Sequence, residues 1–401
     1  VDTMNTIYKR LMEHMQDHPI IITHSHSLPT VDGSDMTLDT MLHSTYMGWK
    51  AINAEGYGDD KDAFVKDMRF NSYFTYFQKS LQELYGLNEP ISKKTWQLYS
   101  DKIHEAYQDK LHRTNILREK CRYEKVIVDS YWNPGEIQGF GGMMTAAYRI
   151  NMYLFGYSKT AVDHKGKNPF QVYGWPDAPT IDDYVALMRR QIGLKLDEGC
   201  VAIKAGCAYD RGLDFMPTTK YEAAKAYMNP DATPEEIKAF QDYIFDQICK
   251  YAAERDVPVQ CHTGLARLNK SNAMWLKPII DQNPDTRFVI FHGSYPWMDD
   301  VLALVHNYPN VYPDLCWMPI LSPSATERFL EELLELGNAS KICWGCDTWM
   351  AEDSFGALLA ARHVFAKLLS RKVEEGFMSE EEAKALISDI LYNNAKKIYK
   401  F

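Results

Sequence analysis

The sequence predicts a (β/α)8 (TIM) barrel, a single α/β domain over residues 1–401 with a helical insertion after the first strand. Three observations lead there. Short apolar runs rich in β-branched residues alternate with amphipathic helical stretches, which implies a parallel sheet covered on both faces. The runs number eight, which favours a closed barrel over an open sheet. The 401 residues are 46% hydrophobic and 24% charged, an ordinary globular composition at a length that such a barrel reaches as one domain.

Taken in order, Ile20–Thr23 is the first strand, followed directly by His24-Ser25-His26. Tyr123–Asp129 is the second and Asn151–Gly156 the third and weakest. Cys200–Ala205, Val257–His262, Arg287–His292, Val311–Leu315 and Ile342–Asp347 complete the set. Among the helices, Thr180–Gly199 opens on a capping Thr with acids in its first turn and closes on Gly. Thr233–Arg255 carries Pro at its first helical position. Ala325–Gly337 and Ser354–Gly376 read as helices too, and Ser379–Lys400 begins with a capping-box pattern. About ninety residues separate the first two strands, far more than a connecting loop. Within this insertion, assigned to residues 31–120, Asp62–Tyr85 carries Phe70, Tyr73, Phe74 and Phe77 at helical spacing. A small helical core explains that face better than a cofactor site. The insertion leaves the C-terminal end of a strand, the active face of a barrel, so it is expected to form a lid.

Composition excludes several classes. With 44 basic and 54 acidic residues the net charge is −10, which argues against a groove for nucleic acid backbone. No apolar run approaches the ~20 residues that cross a bilayer. The longest near the N-terminus, Pro19–Ile22, is too short for a signal-peptide core. Eight cysteines are too sparse for a disulfide scaffold; they read as reduced thiols, and a cytoplasmic location is expected. Cys343 and Cys346, three apart on a strand, face opposite sides and, like Cys261, read as small apolar fillers. Neither G-x-S-x-G nor a phosphate-binding G-x-x-x-x-G-K-[ST] loop occurs.

The chemistry gathers at strand ends. His24 and His26 alternate with Ser25 and so point to one side. His262, His292 and Asp347 end three further strands. One strand-end histidine is ordinarily a hydrogen-bonded rim residue; the same ring position reached from four strands reads as a metal site. Imidazoles with a carboxylate suit Zn2+, Fe2+ or Mn2+. Lys204 has three readings: a carbamylated bridge between two metals, an ammonium for a substrate carboxylate, or a lysine snorkelling at the strand end. Arg211 and Arg267 follow strands four and five; Trp297, Trp317 and Trp349 follow strands six, seven and eight. Together these suit a small organic substrate bearing a carboxylate, with Lys204, Arg211 and Trp317 as its candidate binding residues.

At these motifs the chain resembles the amidohydrolase superfamily, in its amidohydrolase-related branch. They are H-S-H after strand one, V-P-V-Q-C-H-T-G, F-V-I-F-H-G-S-Y-P-W, N-V-Y-P-D-L-C-W and W-G-C-D. That branch includes metal-dependent decarboxylases and lactone hydrolases; uronate isomerases are more distant relatives. The resemblance covers the first strand and about residue 200 to the C-terminus. It implies His24, His26, His262 and Asp347 as metal ligands. His292 would be a second-metal ligand or the group that polarises the substrate, and Asp347 the proton shuttle. It implies one or two divalent ions, Zn2+ first and Mn2+ or Fe2+ as alternatives. The leading expectation is a hydrolase in which a metal-activated water, its pKa near ~7, cleaves an amide, C–N or lactone-type bond of a small carboxylate-bearing substrate. A non-oxidative decarboxylase or a uronate-type isomerase on the same site is the alternative, and a barrel that binds ligand without turnover is the third. A small molecule is the expected partner, with no nucleic acid and no membrane; a homo-oligomer is compatible with the architecture.

Overall fold

The computed structural model describes residues 2–27, 33–47, 57, 59–137, 139–140 and 142–401. Seven parallel strands lie side by side in chain order. They are β1 (Ile20–Ser25), β2 (Tyr123–Val128), β3 (Met144–Arg149), β4 (Cys200–Ala205), β5 (Val259–His262), β6 (Phe288–Phe291) and β7 (Val311–Asp314). Every residue of β1, β3, β5 and β6 is buried, as a sheet with both faces covered requires.

The eighth predicted strand closes the ring without forming a regular ladder. It meets β7 in a single parallel bridge, Asp314 with Cys343. Leu315 and Trp317 donate to the carbonyls of Cys343 and Gly345, while on the other side Thr23 donates to Trp344 and Asp347 to His24. The chain passes close to β1 here. A Cβ on Gly345 would lie 2.7 Å from the His24 nitrogen.

The third strand is corrected. It lies at Met144–Arg149, and the predicted Asn151–Gly156 is instead a 3-10 turn over Asn151–Phe155. The stretch Met144-Thr145-Ala146-Ala147 has few β-branched residues. It becomes a strand because β2 and β4 pair with it on either side, Ile127 beside Thr145 and Ile203 beside Tyr148. Neighbouring strands outweigh local preference.

Helix starts follow the sequence closely. The side chains of Thr180, Thr233 and Ser379 each accept the N–H of the residue three further on, which satisfies a donor the first turn leaves open. The final segment is not one helix: Glu380–Ser388 passes through a π turn at Asp389–Asn393 into Asn394–Tyr399.

The insertion contains the helices Leu38–His43, Lys61–Met68, Ser72–Tyr85, Trp96–Tyr107 and His112–Asn115. Residues 31, 32, 48–56 and 58 of the expected insertion lie outside the described residues. The single helix face expected over 62–85 is two helices, because Asn71 caps the second by accepting the Phe74 N–H. Tyr73, Phe74 and Phe77 are buried as expected. Phe70 falls in the break and is 85% exposed. Buried acids hold these helices to the barrel. Tyr85 and Tyr107 donate to Glu352 at 2.8 and 2.9 Å, and Tyr73 donates to Asp353 at 2.5 Å. Both acids open the helix Ala351–Glu374, directly after the eighth stretch.

Candidate active site

The strand ends turn their side chains into one mouth. His292, Trp317 and Asp347 take left-handed backbone conformations, with φ of 70°, 68° and 55°. Non-glycine residues rarely do so, and such positions gather at functional sites. The mouth encloses a cavity of about 470 Å³, lined among others by His24, His26, Arg149, Lys204, His262 and Asp347.

On one wall, His24 and His26 bring Nε2 to 3.2 and 3.1 Å from Asp347 Oδ1. His26 Nδ1 donates to the Asp129 carbonyl, which leaves Nε2 as the nitrogen that faces the carboxylate. Burial first, and the Lys204 ammonium second, push His24 down to about 3, so it is neutral. Asp347 Oδ1 and His24 Nδ1 are buried and find no hydrogen-bond partner among the described residues. Imidazole lone pairs facing an ionised carboxylate oxygen form a donor set that a divalent cation fits. The backbone carbonyl behind His26 fixes its tautomer, as outer partners of ligating histidines do. Two groups of three ligand atoms lie within 4.8 Å of one another: His24, His26 and Asp129, and His292, Cys316 and Asp347.

His262 belongs to neither group. Its Nε2 faces the Leu265 carbonyl at 2.9 Å, and His292 Nδ1 faces the Cys316 carbonyl at 2.8 Å. The carbonyls assign protons to these outer nitrogens. The inner nitrogens, His262 Nδ1 and His292 Nε2, meet at 3.0 Å, and one further proton makes that contact a hydrogen bond. His292 Nε2 is 3.7 Å from Asp347 Oδ2. His292 thus touches the carboxylate, and His262 stands one ring further out. Burial pushes both imidazoles down, His292 to about 4.

The opposite wall is ionic. Arg149 Nη2 donates to Asp129 Oδ2 at 2.8 Å, and Nε reaches both carboxylate oxygens. Lys204, 1% exposed, places Nζ 3.7 Å from Asp129 Oδ2 and 3.4 Å from His24 Nε2. Burial alone would raise the Asp129 carboxyl, but Arg149 and Lys204 outweigh it and keep it ionised. Burial lowers Lys204, against the pull of Asp129. Arg149 Nη1 is buried and unpartnered among the described residues. Gly206 leaves it room: a Cβ there would lie 2.5 Å from Nη1. His43 and Tyr46 of the insertion and Tyr209 after β4 also line the cavity.

Of the residues expected to bind substrate, Lys204 lines this cavity and Trp317 lines a neighbouring chamber with Tyr46 and Tyr209. Arg211 does neither. It is held by Asp242 at 2.8 Å and stacks on Phe215, because the turn Cys207–Tyr209 carries it behind the mouth. Arg267 donates to the Asp210 carbonyl. Trp349 lies on His26, rings 4.9 Å apart. Sequence reasoning passed over Asp129, Arg149, Cys316, His43, Tyr46 and Tyr209. Asp129 ends the second predicted strand just as Asp347 ends the eighth, a signal that could have found it. All eight cysteines are free and buried. Among the described residues no helix is long and apolar enough to cross a membrane.

The fold and this mouth define a (β/α)8 barrel with a candidate metal centre at the C-terminal ends of its strands. Residues 221–401 match the family model described as Amidohydrolase. That segment, just under half of the chain, is similar to the amidohydrolases. Protein fluG of Emericella nidulans is 30% identical over 229 residues, 51% of this chain but 26% of that protein's length. The uronate isomerase of Caulobacter vibrioides is 21% identical across 96% of this chain and 90% of its own. The crystal structure of glucuronate isomerase from Caulobacter crescentus superposes with a TM-score of 0.77 at 19% identity, covering 100% of this chain and 95% of that one. That likeness shows the fold.

Proposed function

We propose that the chain is a metal-dependent isomerase of a sugar acid, interconverting the aldehyde and ketone forms of a uronate-type substrate. The carrying observation is the two-walled cavity: His24, His26 and Asp347 on one side, Arg149 and Lys204 on the other. A uronate has a carboxylate at one end and a hydroxy-aldehyde at the other, and needs both walls. The likeness to uronate isomerases over nearly the whole chain supports the same reading.

His24, His26 and Asp347 would hold the ion, with His292 beside them. A bound divalent ion polarises carbonyl and hydroxyl oxygens and stabilises the charge that develops on them. Arg149, oriented by Asp129, receives the carboxylate through its free Nη1, a charge-assisted contact; Lys204 and Lys165 add positive charge in the same cavity. Isomerisation moves one proton between neighbouring carbons and another between their oxygens, and consumes no water. We assign the carbon-bound proton to Asp347, whose Oδ2 faces His292. The insertion, which brings His43 and Tyr46 to the cavity, acts as the lid that excludes water.

The test is mass spectrometry of products from metal-replete protein given hexuronates. A ketose of unchanged mass is the expected product. No turnover of hexuronates, with amides or lactones gaining the mass of water, would replace this reading with hydrolysis; loss of CO2 would replace it with decarboxylation.

A further inference from the structure

The main cavity has a neighbour of opposite character. A chamber of about 300 Å³ opens beside it, and Tyr46, Tyr209 and His262 line both. Its other walls include Met47, Leu265, Ala266, Leu321, Tyr73 and Trp317. No Lys, Arg, Asp or Glu lines it among the described residues. The volume is about twice the ~150 Å³ of an apolar cavity that admits benzene. A bare hexuronate, hydroxylated along its chain, has no group that such a space would favour.

We infer that the side chamber takes an uncharged aromatic ring carried by the substrate acid, with the acid's carboxylate in the main cavity. The walls suit a ring better than an alkyl chain. Trp317 meets His292 edge-on at 5.4 Å and Tyr46 at 4.9 Å, so its indole is fixed before any ligand arrives. Aromatic walls offer a ring both edge and face contacts. The Trp317 indole N–H is out of solvent and has no acceptor among the described residues, so an oxygen on the ring would satisfy it. The substrate class this describes is an acid with an aromatic ring remote from its carboxylate. The inference rests on the proposed acid-binding role of the main cavity and not on the isomerase chemistry.

Calorimetric binding tests it without turnover. Metal-replete full-length protein is titrated with ω-phenylalkanoates of two to five methylenes and with the matching unbranched alkanoates. At least one phenyl compound is expected to bind about tenfold tighter than its partner or better, the gain expected from burying a ring. Ala266→Phe and Leu321→Trp, each checked for a wild-type circular dichroism spectrum, are expected to abolish that gain by filling the chamber. A gain below tenfold throughout the wild-type series overturns the inference. So does a gain that survives both substitutions. Neither result touches the product-mass test of the isomerase reading.

Discussion

The two walls of the cavity solve opposite electrostatic problems. Asp129 pairs with both Arg149 and Lys204 across the ends of β2, β3 and β4, and among the described residues only the Arg149 Nη1 of this trio lacks a partner. His24, His26 and Asp347 are not matched in this way: imidazole nitrogens face a carboxylate oxygen that receives no hydrogen bond among the described residues. The ionic wall is nearly complete as protein. On the proposed reading, a bound cation would complete the imidazole wall. Damage to the first should therefore appear as lost stability and weaker substrate binding, and damage to the second as lost metal and lost turnover.

The largest effect is expected at the imidazole wall. Asp347→Asn should lower kcat about 10²–10⁴-fold, the range for a positioned proton-transfer group, while thermal melting stays near wild type. Wild-type turnover in that variant would remove Asp347 from the chemistry. On the ionic wall, Arg149→Met removes the closer of the two cationic partners of Asp129, leaves Lys204 at 3.7 Å, and should cost about 1–3 kcal/mol in urea unfolding. Adding Asp129→Asn should lower stability further, because Lys204 is then buried without a carboxylate. A double variant more stable than the single one would mean that Lys204 does not depend on Asp129.

Smaller effects probe the lid. Tyr85→Phe removes one hydrogen bond to the buried Glu352 and should cost about 1.5–3 kcal/mol, with faster proteolytic cutting inside the insertion. The smallest concerns Asp353, which burial raises to about 7. Its folded value exceeds the unfolded one of about 3.9. Its contribution to stability is therefore full below about pH 4 and is lost as pH rises towards 7. Asp353→Asn should flatten the stability profile across that window; an unchanged slope would mean that Asp353 is ionised throughout.

The same two walls differ in how far the sequence reveals them. The imidazole wall was legible because its residues end apolar runs whose boundaries are sharp, and alternation alone places His24 beside His26. The ionic wall was not, because Arg149 ends a strand that exists through its neighbours. With the third strand assigned to 151–156, Arg149 was an unremarked residue before it. His43 and Tyr46 come from the insertion, whose helices were readable but whose approach to the mouth depends on tertiary packing. Arg211 shows the reverse case: it follows a strand in sequence, yet the turn after β4 sets it against Asp242 and away from the cavity lining. His262 sits at a strand end like His292, yet a contact three residues on, with Leu265, turns its outer nitrogen from the centre.

The central claim is that His24, His26 and Asp347 hold the metal and that the ionic wall does not. Metal content per chain, measured by mass spectrometry on wild type, His26→Ala and Lys204→Met grown with zinc, manganese and iron, tests it most directly. The expected result is about one ion in wild type, loss in His26→Ala and retention in Lys204→Met. An ion retained in His26→Ala would contradict the account, as would two ions in wild type with one lost from Lys204→Met, the signature of a carbamylated bridge.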